Sequence, residues 1–152
     1  MFINNYPPYA VIKSFLLMFC MLSPGMTNAA CVASDLSGTW YLTGISGNVA
    51  YGTLDETDRC KLTVSSAGTI ITSTSSCQTR DDTGLTSLSA VSGKFSINSA
   101  CNVTGTVEGC FNGQCRTAKV QYAKMDQGKT VMSMVGFVIG SADDVISWTA
   151  VK

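Results

Sequence analysis

The 152-residue sequence predicts an all-β domain: an antiparallel meander of eight or nine strands, closed or nearly closed into a disulfide-stapled barrel, with a β-sandwich as the alternative. Three observations carry this. Beyond residue 30 no segment keeps a 3.6-residue apolar period, whereas short β-branched and aromatic runs recur between Gly, Ser, Asn and Asp clusters. Six of the seven cysteines lie in that same part, an even count of the kind that staples a small exported domain. Between two alternating runs stands Asn112-Gly113, the strongest short hairpin signal.

The first thirty residues read as a secretory signal peptide. Lys13 is followed by the apolar run Phe15-Leu16-Leu17-Met18-Phe19-Cys20-Met21-Leu22, then Ser23-Pro24-Gly25 and small residues from Thr27 to Ala30. The run is shorter than the roughly 20 residues that span a bilayer, and Pro24-Gly25 would break a helix there. Cleavage after Ala29 or Ala30 leaves a single domain, 31–152, and no membrane span. Cys31 directly after Ala29-Ala30 also fits a lipoprotein signal. Against that, Asn28 stands where such signals usually carry a branched aliphatic residue, and acylating Cys31 would leave an odd number of cysteines.

The strands are expected at Thr39 to Thr43, Asn48 to Gly52, Cys60 to Ser65, Thr69 to Ser75, Lys94 to Asn98, Asn102 to Phe111, Gln114 to Met125, Thr130 to Ile139 and Val145 to Val151. The segment from Gln78 to Val91 has no period and reads as a long loop with a short helical turn near Leu85 to Leu88. Pairing of the first and last strands would close the ring and remove its edges. Alternation places Trp40, Leu42, Leu62, Val64, Ile71, Phe95, Ile97, Val103, Val107, Val120, Tyr122, Ile146 and Trp148 inward. Met125, Met132 and Met134 read as plastic core or interface surface rather than soft-metal ligands. The run from Val131 to Ile139 is apolar on both faces. Its outer face is therefore expected to be covered, by the Gln78 to Val91 segment or by a second copy meeting it through Val131, Met134, Val135 and Phe137.

With Asn112-Gly113 as a type I′ turn, Phe111 faces Gln114 and Cys110 faces Cys115. That second pair is non-hydrogen-bonded, where side chains come closest, so a disulfide fits. The same register keeps Glu108, Thr106 and Thr104 on the cystine's outer face, with Val107, Gly105 and Val103 opposite Ala118, Val120 and Tyr122 inside. Of the other four cysteines, Cys60 with Cys77 and Cys31 with Cys101 is the simplest pairing. Cys60 with Cys101, or Cys31 with Cys60, stays open, because face parity does not say which strands neighbour each other.

The domain opens Leu36-Ser37-Gly38-Thr39-Trp40-Tyr41-Leu42, and this Gly-x-Trp on a first strand resembles the start of calycin-type barrels: lipocalins, avidins and small bacterial barrel inhibitors of secreted metalloproteases. The resemblance implies an up-and-down barrel with Trp40 closing one end. Leu42 departs from avidins, which carry a biotin-contacting asparagine there, and the chain is shorter than most lipocalins. Cys60 before Lys61-Leu62-Thr63-Val64 loosely matches the early-strand cysteine of the inhibitors.

Composition excludes several functions. With Lys13 set aside, nine basic residues stand against ten acidic ones, so no basic patch suited to nucleic acid is visible. The chain has no histidine, which removes His-based triads and the commonest metal ligand. The acids at Asp55-Glu56-Thr57-Asp58, Asp81-Asp82 and Asp143-Asp144 sit beside turn-like residues and read as solvated loop acids. The sequence thus predicts a secreted or periplasmic, non-enzymatic binding domain without cofactor or metal. Its partner would be a small apolar ligand or a protein, with Trp40, Tyr122 and Trp148 as barrel-end or ligand-contacting residues. Inhibition of a secreted protease by the segment from Ala30 to Leu36, or a surface module, are the alternatives.

Overall fold

The computed structural model describes residues 30–152, so the segment read as a signal peptide lies outside the described residues but for Ala30. Nine strands follow in chain order: β1 (Gly38–Asn48), β2 (Thr53–Val64), β3 (Ser76–Arg80), β4 (Leu85–Ser87), β5 (Ala90–Ile97), β6 (Asn102–Phe111), β7 (Gln114–Met125), β8 (Val131–Val138) and β9 (Ser141–Val151). They form one antiparallel sheet in the order β4-β3-β2-β1-β9-β8-β7-β6-β5. The first and last strands pair, from Tyr41 with Val151 to Asn48 with Asp144.

The sheet curls into a half-barrel whose two edge strands do not pair with each other. Those edges, β4 and β5, are successive stretches of one run of chain. Leu88 N–H donates to the Cys77 carbonyl after β4, and Ser89 N–H to the Cys110 carbonyl before β5, so the run is stitched to β3 on one side and β6 on the other. Further along, Ile70 bridges to Val64 of β2 and Thr69 to Lys94 of β5. The result is a single curled half-barrel sheet with this run bridging its open side, not a sandwich. The long loop expected from Gln78 to Val91 is therefore corrected: it holds β4, the end of β3 and the start of β5. A three-residue strand is too short to show a period.

Two other expected strands are turns. Residues 49–52 form the β1–β2 turn, where the Asn48 side-chain oxygen accepts the Ala50 N–H at 3.0 Å. From Thr72 to Thr74 the chain makes a 3-10 turn. There the Ser75 hydroxyl oxygen takes the Thr63 N–H at 3.0 Å and the Thr74 hydroxyl donates to the Ile71 carbonyl, so hydroxyls replace a ladder. The break also reverses the expected parity: Ile70 is buried and Ile71 is exposed.

Asn112 and Gly113 both have positive φ, 50° and 77°, and the hairpin register is Phe111 with Gln114 and Cys110 with Cys115. It holds to Gly105 with Val120 and then shifts by one, so that Val103 pairs with Ala123. On the other side Val120 pairs with Gly136 but Tyr122 with Val135. Strand β7 thus carries one extra residue relative to both neighbours, a β-bulge at Gln121-Tyr122. Tyr122 consequently points out to solvent, 69 % exposed, which corrects its inward placement. The same shift keeps Lys124 outside and turns Ala123 and Met125 into the core.

One apolar cluster fills the barrel, including Trp40, Leu42, Leu62, Phe95, Val103, Met125, Met132, Met134 and Trp148; Ile97 packs against its margin half-buried. Each large side chain removed from water contributes about 1.5–3 kcal/mol. Met134 points inward and is buried, so it belongs to no outer surface, whereas Val131 and Val135 are exposed and Phe137 is half-buried. Four strands separate β4 from β8 across the sheet, so the Gln78 to Val91 segment does not cover that face. Val135→Glu is accordingly expected to change the urea unfolding free energy of the single chain by no more than about 0.5 kcal/mol. A loss of several kcal/mol would contradict the outward placement.

Candidate functional site

The two ends of the barrel differ. At one, Leu36 and Trp40 are buried as a plug, with the Trp40 indole N–H donating to the Leu36 carbonyl at 2.7 Å. Lys152 lies over that ring, its Nζ 5.1 Å from the centroid, and also donates to the Asp35 carbonyl. Lys129 pairs with the Asp35 carboxylate at 2.7 Å, and that contact, together with the Val32 N–H, holds the carboxyl below its ordinary pKa. Cys31 is bonded to Cys101 at this end, tying the segment before β1 to the turn before β6.

The end carrying the β1–β2, β3–β4 and β6–β7 turns is open. It holds a cup of about 410 Å³ whose lining includes Glu56, Asp58, Asp81, Arg116 and Phe111, with an apolar floor of Val107, Ala118, Ile146, Trp148 and the Cys60–Cys77 cystine. Strand alternation builds its acidic wall. In β2 the side chains at 56, 58, 60, 62 and 64 share one face, and the lower three, Cys60, Leu62 and Val64, pack with the core. Glu56 and Asp58 continue that face upward to the rim.

Cross-strand rows fix the acids. Gly44 pairs with Asp58 on one side and with Trp148 on the other. The Trp148 indole crosses Gly44 and donates its N–H to Asp58 Oδ2 at 2.9 Å. A Cβ at Gly44 would lie 1.9 Å from the indole Cδ1, so only glycine leaves room for that crossing. One row higher, Ser46 pairs with both Glu56 and Ile146, and its hydroxyl donates to Glu56 Oε2 at 3.3 Å. Burial pushes the Glu56 carboxyl above the ordinary glutamate range and the Asp58 carboxylate adds to the shift; the Ser46 hydrogen bond and Arg116 pull the other way. Asp81 is engaged locally, accepting from the Thr83 hydroxyl and from the Thr83 and Gly84 N–H groups, which lower its pKa.

All six cysteines among the described residues are paired: Cys31–Cys101, Cys60–Cys77 and Cys110–Cys115. Three disulfides suit an oxidising compartment. The Cα atoms of Cys110 and Cys115 are 4.0 Å apart, the close spacing of a non-hydrogen-bonded pair. Of the three aromatic residues expected at barrel ends, Trp148 is in the cup floor, Trp40 lies at the opposite, plugged end, and Tyr122 is on the outer wall. Glu56 and Asp58, read from sequence as loop acids, instead face the interior. Their even spacing from Cys60 was the available signal. No helix among the described residues is long and apolar enough to cross a membrane. No family model, curated protein or solved structure matches the chain.

Proposed function

We propose that this is a secreted or periplasmic, non-enzymatic binding domain whose open barrel end receives a small ligand. The single observation that carries the reading is the asymmetry of the two ends: one is packed by Leu36 and Trp40, while the other keeps a cup of about 410 Å³. That volume falls within the roughly 300–1,000 Å³ of small-molecule sites, and an apolar floor with few polar groups above it is their usual chemistry. The expectation of a mainly apolar ligand is narrowed, because the rim carries charge.

Protease inhibition by the segment from Ala30 to Leu36 has less support. Cys31 and Leu36 are buried against the barrel, and the residues between them make a short 3-10 turn braced by the Asp35–Lys129 pair. A substrate-like strand inserted into an enzyme cleft needs an extended, accessible backbone.

Native mass spectrometry of the protein purified from its own host tests the reading. The expected result is a co-purifying small molecule that is lost when the cup is narrowed by Thr79→Trp, at a half-buried position in its lining. A bound protease would favour inhibition instead. An empty chain showing no thermal shift across a small-molecule panel would overturn the proposal.

A further inference from the structure

The cup's lining also specifies the charge of its ligand. Glu56, Asp58 and Asp81 stand against Arg116 alone, leaving an excess of two negative charges around the cavity. Glu56 is the least satisfied of these. It is partly stripped of water, faces the Asp58 carboxylate, and has the Ser46 hydroxyl at 3.3 Å as its one hydrogen-bond donor among the described residues. Asp58 is held in place by the Trp148 N–H, and Asp81 by its own turn. Beneath them lie Val107, Ala118, Ile146 and Trp148, which offer apolar surface and no charge.

We propose that the ligand is a small organic cation: an amine whose ammonium group meets Glu56 and Asp58 while its apolar body rests on the Trp148 floor. This rests on the cup being a ligand site. The fold already bears the desolvation of Glu56 and its repulsion from Asp58, so a cation relieves both on entry, and an anion would add to both. Arg116, exposed at the rim, offsets part of the charge without pairing to either acid.

Three probes of similar size separate the outcomes: phenethylamine, phenethyl alcohol and phenylacetate, each titrated at neutral pH and followed by the indole N–H resonance of Trp148. The amine is expected to saturate that shift, the alcohol to bind about tenfold more weakly, and phenylacetate not to bind. Glu56→Gln should bring the amine down to the affinity of the alcohol and leave the alcohol unchanged. The same variant should melt higher at neutral pH. A carboxyl whose folded pKa is raised loses stability as pH rises from its unfolded to its folded pKa, and the glutamine avoids that loss. A higher melting point with lost amine binding thus shows a folded variant with a disabled site. Alcohol or phenylacetate binding as tightly as the amine would overturn the cation assignment and leave the cup intact. No shift of Trp148 with any probe would remove both.

Discussion

Trp40→Ala is expected to destabilise the domain by about 3–5 kcal/mol, a large part of the roughly 5–15 kcal/mol that holds a domain of this size. Trp40 is among the largest buried side chains and packs with Leu36 and Val64 at the plugged end. Its removal opens a cavity and strips the Leu36 carbonyl of its buried donor. Trp40→Phe separates these effects. It keeps most of the volume and loses the hydrogen bond, so it should lose about 1–3 kcal/mol. Urea unfolding of both variants, with the Trp148 resonance as a check on the cup, tests the assignment. A loss below about 1 kcal/mol for the alanine would show that Trp40 is not the plug.

Removing the Cys31–Cys101 bond is the second large expected effect. The bonded cysteines are 70 residues apart, and in the chain-entropy model closing such a loop is worth about 4 kcal/mol. The Cys110–Cys115 bond spans 5 residues and is worth about 2 kcal/mol in the same model, with its hairpin already specified by Asn112-Gly113. Double serine variants of each pair, compared by urea midpoint, should therefore rank in that order. The Cys31 and Cys101 variant should also loosen the plug, because Leu36 and Asp35 lie on the segment that the bond tethers. The reverse ranking would contradict this account.

The local features of this fold were legible because each is decided within a few residues. Asn112-Gly113 specified a turn, the turn specified a register, and the register placed Cys110 against Cys115. The pairing of β1 with β9 was readable from the cost of open edges, but it lies in the middle of the sheet, whose edges fall instead at β4 and β5. What escaped was set by less local causes. The register of β7 fails at Gln121-Tyr122, although continuing it would have put Lys124 inside, a warning readable in the sequence. Glu56 and Asp58 looked like loop acids because four polar residues in a row resemble a turn, yet they sit four and two positions before Cys60 on its inward face. The closing run through Leu88 and Ser89 has no period of its own, since it changes partners halfway. Its structure is dictated by the two edges it joins.

The pairing of β1 with β9 bears on how the chain can fold as it is synthesised from its N-terminus. Gly38–Asn48 is among the first parts of the domain to appear, and its partner Ser141–Val151 is nearly the last. Until then the β1–β2 hairpin presents an unpaired edge carrying Tyr41 and Ile45, and β8 presents another when it arrives. Contacts of such long sequence separation are slow to form, and open edges invite pairing with other chains during the wait. The Cys60–Cys77 bond, 17 residues across, can form early and hold the β2–β3 corner while the rest of the chain follows. A chain cut before β9 would keep β1 and β8 as permanent open edges, so losing the strand Ser141–Val151 converts a self-limiting sheet into a template for aggregation.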